Sequence, residues 1–400
     1  MEKRQSPDRP GFILAYLIID GLCSLCYDMT NNDKNTERVK RMGKIYQIYG
    51  KDAHDMTLRL LEASNAIGLV PSGGSVALKP NLVVADAPEN GATTHVGALS
   101  GAIEYFRAHG VKDISVIEGS WVGDETIRAM RRAGYDAVLK KYDVPFYDLK
   151  KDRTRPVNTP AGKIDVCGRA LDAGLLVDMP VLKGHCQTVM TCALKNLKGC
   201  LPDREKRHFH AMGLTKPIAA LGAALKPGLI IVDSICGDLN FEEGGTPVET
   251  NRMYLGTDAV QIDAYGASLM GLSRSQVEYI ELAERYGGGR AAFDESDIVN
   301  LNAPSDVKAY PKPSGTVAKL TRRVKQDRAC SACFANLVRA LYASGRGGNM
   351  DICIGQGFAG KTFDGFGVGK CCKGATHCVM GCPPTAEQIA NALEDLAWSE

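Results

Sequence analysis

Aromatic side chains make up only 6% of the 400 residues, and the formal net charge is +2. No uninterrupted apolar run reaches the ~18 residues that a membrane-crossing helix needs. Each shortage removes a class of function. A near-neutral chain has no bulk attraction for nucleic acid or for an anionic membrane surface. Few aromatics also leave little from which to build a base-stacking platform. The apolar stretch from Phe12 to Tyr27 follows Lys3, Arg4 and Arg9 but is interrupted by Asp20 and leads to no clear small-x-small cleavage site. Residues 1–41 read as an extension, with Met42 opening the folded part and the Cys23/Cys26 pair incidental. A cytoplasmic protein is expected, with no nucleic-acid or membrane partner.

Cysteine is what the chain has in quantity. Seven of its fourteen cysteines lie between Cys330 and Cys382. With no pointer to an oxidising compartment, they do not read as a disulfide framework. Thiolates gathered at short spacings beside glycine and proline suit an iron–sulfur cluster first and a zinc ion second. Cys330 and Cys333 form a CxxC opening a helix, a placement that favours the thiolate. Cys382 precedes Pro383 and Pro384, and Cys371 stands between Gly369 and Gly374, where backbone can approach a cluster closely. Cys353 reads as a buried hydrophobe in an apolar strand, with Cys372 and Cys378 in reserve.

Gly355–Thr362 satisfies the GxxxxGK[ST] spacing of a phosphate-binding loop. Such a loop requires a helix immediately after it. The following FDGFGVG cannot propagate one cheaply, so a glycine-rich wrap around a cluster is the better reading. The basic run Lys319, Arg322, Arg323, Lys325 and Arg328 is either a solvated segment or a set of cations offsetting thiolate charge.

Before the tail, strand and helix alternate. Strands are expected at 44–49, 75–82, 112–118, 144–149, 173–182, 229–233 and 297–302, with helices at 52–67, 96–109, 124–142, 187–198 and 259–271. That order argues for an α/β fold, a mostly parallel doubly wound sheet followed by a small cysteine-rich iron–sulfur domain. The expected divisions are an α/β domain over 42–302, a Pro/Ser/Lys-rich linker over 303–320 and a cluster-binding domain over 321–400.

In open α/β sheets ligands bind beyond the carboxyl ends of the strands. Those ends carry Lys79 and Asn81, Glu118 and Ser120, Lys183 and His185, and Asp233. On a helix over 187–198, Thr188, Thr191, Lys195 and Lys198 share one face, making an anion site of Lys79, Asn81, Thr191, Lys195 and Lys198. Lys183, His185 and Asp233 are the candidate catalytic groups, His185 as a proton carrier near neutral pH. His208 and His210 could form a metal-binding pair only if extended, and no carboxylate stands at a telling spacing.

The motifs VALKPNLV, MPVLKGH, ALKNLKG, IVDSICGD and GTDAVQIDA, spread over residues 42–289, resemble the domain-of-unknown-function 362 family. The resemblance implies an α/β domain, often fused to a ferredoxin-like four-iron module, and no settled reaction. Where members carry a one-cluster variant, Cys330, Cys333, Cys371 and Cys382 match its motif cysteines. The tail departs from the tandem CxxCxxCxxxCP arrangement, so a two-cluster wire is not expected. The leading expectation is one 4Fe-4S cluster in a redox enzyme of anaerobic metabolism, acting on a small anionic substrate or exchanging electrons with a redox partner protein. A non-redox isomerase or lyase with a structural or Lewis-acid cluster, and an electron-carrier module with no substrate of its own, are the alternatives.

Overall fold

The computed structural model describes residues 43–304, 309–310 and 315–397. The extension over 1–41 and much of the 303–320 stretch lie outside the described residues. In chain order the first strands are β1 (Ile45–Tyr49), β2 (Val76–Pro80), β3 (Ile114–Glu118), β4 (Phe146–Asp148), β5 (Thr154–Thr159) and β6 (Gly162–Cys167). There follow β7 (Leu175–Met179), β8 (Lys183–His185), β9 (Val189–Thr191), β10 (Leu229–Asp238), β11 (Pro247–Gly256) and β12 (Ile298–Asn300). The tail adds β13 (Val324–Gln326), β14 (Ile352–Ile354), β15 (Phe363–Val368) and β16 (Ala375–Val379).

The main sheet has the order β12-β1-β11-β10-β7-β2-β3-β4. Only β11 runs against its neighbours, β1 and β10; the other pairings in this sheet are parallel. Successive strand residues supply opposite faces, as the two-residue period dictates. Val76 and Leu78 join one core cluster while Ala77 joins the other, and Ile231 is divided from Ile230 and Val232 in the same way. Helices Ala53–Ser64 and Val96–Ala108 cover the first face; Thr215–Leu225 and Ala259–Leu269 cover the second. Each fully buried Leu, Ile or Phe contributes roughly 1.5–3 kcal/mol. With both faces dry, the central strands show no polar alternation.

Caps fix several boundaries as expected. Asp52 accepts from the backbone N–H groups of His54 and Asp55, and Asp258 from those of Val260 and Gln261. Two expected helices are not continuous. The one over 124–142 is divided into Thr126–Arg132 and Tyr135–Tyr142 by Gly134, at φ 81°. The one over 187–198 is largely replaced by the hairpin β8–β9, which pairs Lys183 with Thr191. Helix begins only at Ala193, where Asp263 accepts from the N–H groups of Ala193 (2.7 Å) and Leu194 (3.2 Å). The shared polar face of Thr188, Thr191, Lys195 and Lys198 is therefore not a helix face.

In the tail, β13-β14-β15-β16 form a parallel sheet packed by helices Ser331–Ala343 and Ala386–Ala397. Phe241 is buried in its apolar cluster and Cys186 packs against it, so this sheet shares its core with the α/β part. Within the 303–320 stretch, Tyr310 is buried and its hydroxyl donates to Leu182 O at 2.5 Å. Among the described residues no helix is long and apolar enough to cross a membrane.

Candidate functional site

β2 and β3 deliver Lys79 and Glu118 side by side, and their side chains pair at 2.7 Å with almost no exposure. Burial alone would depress the Lys79 ammonium, but Glu118 and Asp178 outweigh it and raise its pKa. The Gly119 N–H holds the other Glu118 oxygen at 2.6 Å. Behind them Asn196 donates to Asp178 at 2.8 Å, and burial pushes the Asp178 carboxyl up to about 7.

The hairpin β8–β9 faces a loop that joins β10 to β11. Asp238 ties that loop together, accepting from the N–H groups of Asn240 (2.8 Å), Phe241 (2.6 Å) and Thr246 (2.6 Å). Phe241 thus enters the tail core while Glu242 turns into the cleft. Lys195 donates to Glu242 Oε2 at 2.8 Å, and His185 Nε2 abuts the same oxygen. The N–H groups of Gln187 and Thr188 donate to His185 Nδ1 at 2.9 and 3.1 Å, which assigns the imidazole proton to Nε2, facing Glu242. Burial lowers the His185 pKa to about 4, so His185 is neutral near pH 7. Burial also opposes ionisation of Glu242, yet His185 and Lys195 hold its pKa well below the usual range. Lys183, fully buried, donates to Ala92 O (2.5 Å) and Glu242 O (2.8 Å), and burial brings it down to about 7.

Lys198 and Lys206 complete the lysine wall, and His210, whose pKa burial holds well below the usual imidazole range, stands beside Lys198. Lys206 donates to the carbonyls of Gly119 (2.9 Å) and Ser120 (2.8 Å). His210 Nε2 lies 3.4 Å from Lys198 Nζ and 3.4 Å from Ser331 Oγ. Val83, Trp121 and Val122 form an apolar side, and Cys330, Ser331 and Ala332 of the tail close the far edge. The space open to water-molecule centres is about 80 Å³. One water needs roughly 10–15 Å³, so the cleft suits a small metabolite better than a nucleotide.

The tail places four cysteines together. Cys330, Cys333, Cys371 and Cys382 feel one another's charge in all six pairs. Burial, followed by these neighbours, raises Cys330 and Cys371. Lys370 N–H donates to Gly381 O at 2.8 Å, bringing Cys371 beside Cys382, and a Cβ on Gly369 would stand 3.5 Å from Cys333 Sγ. Cys353, Cys372 and Cys378 fall outside this mutual set. Among the described residues no three His, Cys, Asp or Glu side chains converge to hold a single metal ion. Were a four-iron cluster held here, each of the four thiolates would ligate a different iron.

A family model described as "Domain of unknown function (DUF362)" matches residues 76–268. Over this segment, just under half of the chain, the protein is similar to the DUF362 family. Thylakoid-associated protein sll1697 of Synechocystis sp. is 25% identical over 241 residues, covering 57% of this chain and 73% of that protein. The lactate racemase apoprotein from Thermoanaerobacterium thermosaccharolyticum aligns with 57% of this chain and 57% of its own length. Its 12% identity and TM-score of 0.40 are too low to bear on the reaction.

Within the DUF362 segment, Asn81, Lys183, Thr191, Lys195 and Lys198 line the cleft. Lys79 and His185 stand directly behind lining residues. Asp233 does not line it; its carboxylate accepts from His95 N and pairs with His95 Nδ1, both at 2.7 Å. His208 and His210 are on the helix Asp203–Ala211, where His208 pairs with Glu205 and His210 enters the cleft, so they form no metal pair. The basic run from Lys319 to Arg328 is exposed, and the cations that face Cys330 are Arg207 and Lys198. The GKT stretch leads into β15 rather than a helix. Cys353 is half-buried, because its neighbours Ile352 and Ile354 take the inward positions of β14. Sequence reasoning missed Glu242, the acid that lines the cleft. The doubled acid in FEEGG, after an aspartate that can cap the loop, was the available signal for Glu242.

Proposed function

We propose that this protein is an iron–sulfur redox enzyme, with Cys330, Cys333, Cys371 and Cys382 holding one 4Fe-4S cluster beside a cleft for a small anionic molecule. The observation that carries the reading is the double position of Cys330: it belongs to the mutual cysteine quartet and also lines the lysine-rich cleft. When bound, such a cluster supplies one-electron transfer at a potential set by charge, hydrogen bonds and exposure. Gln356 Nε2, 3.6 Å from Cys330 Sγ, is one such hydrogen-bond donor. Lys183, Lys195 and Lys198 attract and orient the anion. Glu242 is the group that reaches it, and His185 positions Glu242 while keeping a proton on Nε2. Asp233 instead fixes His95. The α/β part (42–302) and the cysteine-bearing part (321–400) act as one unit across the cleft.

Anaerobic purification is expected to give about four irons and four sulfides per chain, with broad absorbance near ~400 nm that reductant bleaches. Cys333→Ser should lose most of that iron. Zinc in place of iron would sink the reading, and turnover indifferent to the redox state of the cluster would move the protein to the isomerase or lyase class.

A further inference from the structure

Three buried polar atoms around the cleft say more about its ligand than the charge does. Thr191 Oγ1, His210 Nδ1 and Glu242 Oε1 belong to residues 3%, 6% and 3% exposed, all three lining the cleft. None has a hydrogen-bond partner among the described residues. Such atoms are costly while unpaired, so a ligand that pairs them recovers that cost.

Their chemistry differs. The Ser331 N–H and the Lys198 amine approach His210 Nε2 as donors, at 3.5 and 3.4 Å, while the Ser331 hydroxyl gives its proton to Gln187 Oε1 at 2.7 Å. The imidazole proton therefore sits on Nδ1, which becomes a donor. The Thr191 hydroxyl is a second donor. Glu242 is ionised with Oε2 engaged by Lys195 and His185, so Oε1 can only accept. The lining thus demands a ligand with negative oxygen acceptors and also one hydrogen-bond donor.

A plain carboxylate lacks the donor. An amino acid has one, but its ammonium would stand among Lys183, Lys195 and Lys198. Phosphate favours clustered backbone N–H groups at a helix N-terminus, and here those of Ala193 and Leu194 are taken by Asp263. We infer that the cleft binds a small hydroxycarboxylate, its carboxylate on Thr191, His210 and the lysines and its hydroxyl donating to Glu242 Oε1. This rests on the proposed reading of the cleft as an anion site and does not depend on the cluster.

The test is calorimetric titration of the full chain, purified anaerobically with iron and sulfide quantified beforehand. The probes are 2-hydroxybutyrate, butyrate, 2-aminobutyrate and inorganic phosphate. We expect 2-hydroxybutyrate to bind more than about 10-fold tighter than each of the others, the discrimination of a charged hydrogen bond gained or left unmade. Thr191→Val should weaken 2-hydroxybutyrate about 10-fold. It should not lower the thermal midpoint, because the hydroxyl has no protein partner to lose. Butyrate within about 3-fold of 2-hydroxybutyrate, or tighter binding of 2-aminobutyrate or phosphate, overturns the hydroxycarboxylate and leaves the iron–sulfur reading intact. Hydroxy-acid preference in a protein without iron does the reverse. Absence of binding by any of the four overturns the anion site itself.

Discussion

A Gly199→Ala protein is expected to lose at least about 4 kcal/mol of stability, although it adds a single methyl group. A Cβ at position 199 would lie 1.9 Å from Glu118 Oε1 and 2.8 Å from Lys79 Nζ. A side-chain end usually yields to such a contact, but Glu118 is pinned. One of its oxygens pairs with Lys79 at 2.7 Å and the other accepts from Gly119 N–H at 2.6 Å. Relief therefore requires breaking a fully buried ion pair, which costs roughly 3–5 kcal/mol, on top of ~1–3 kcal/mol for overpacking. Urea midpoints of wild type and variant, with soluble yield, check this. A midpoint shift worth under ~1 kcal/mol would mean that Glu118 moves freely and that the pair is not held. Glu118→Asp, shorter by one methylene, should partly restore the alanine variant.

How much of this was legible in the sequence follows from which forces are local. The capped helices after Asp52 and Asp258, and the apolar strands with Val76, Val116 and Leu229, announce themselves through side chains that act on their own segment. The hairpin at 183–191 did not, because what stops a helix from starting earlier is Asp263, 70 residues from Ala193, which caps Ala193 and Leu194 instead. The lysines at the strand ends were visible as motifs. Their acidic counterpart Glu242 was not, since its position depends on Asp238 folding the loop and on Phe241 anchoring it in the tail core. Likewise the four cysteines that share a space were chosen by glycine and proline context. The cations that face Cys330 come from the DUF362 segment rather than from the nearby basic run. Contacts between distant segments carry the chemistry here, and a one-dimensional pattern does not record them.

The second large effect is a gain. Glu243→Gln is expected to stabilise the protein above pH 8 and to leave it unchanged near pH 4. Glu243 is 4% exposed, and neither carboxylate oxygen has a partner among the described residues. Burial, and then the neighbouring Glu242, push its carboxyl from 4.5 up to about 8. Between those values the folded chain keeps a proton that the unfolded chain has released. The stability this represents is complete below pH ~4.5 and is lost as pH rises through about 8. Glutamine cannot ionise and so never incurs the loss. At ~1.36 kcal/mol per pH unit the variant should gain on the order of 2–5 kcal/mol at about pH 9. Other buried groups titrate nearby, Asp263 among them at about 8, but they are common to both proteins and cancel in the difference. Thermal midpoints from about pH 4 to about pH 9 decide it; parallel curves would show that Glu243 finds a partner or solvent. The two adjacent acids then have opposite tasks. Glu243 stays protonated, which spares Glu242 a second negative charge beside it, and Glu242 stays ionised between Lys195 and His185. Since the glutamine of the Glu243→Gln variant is neutral as well, anion binding in the cleft near neutral pH should survive that substitution. Glu242→Gln, which leaves Lys195 and His185 facing an amide, should alter it.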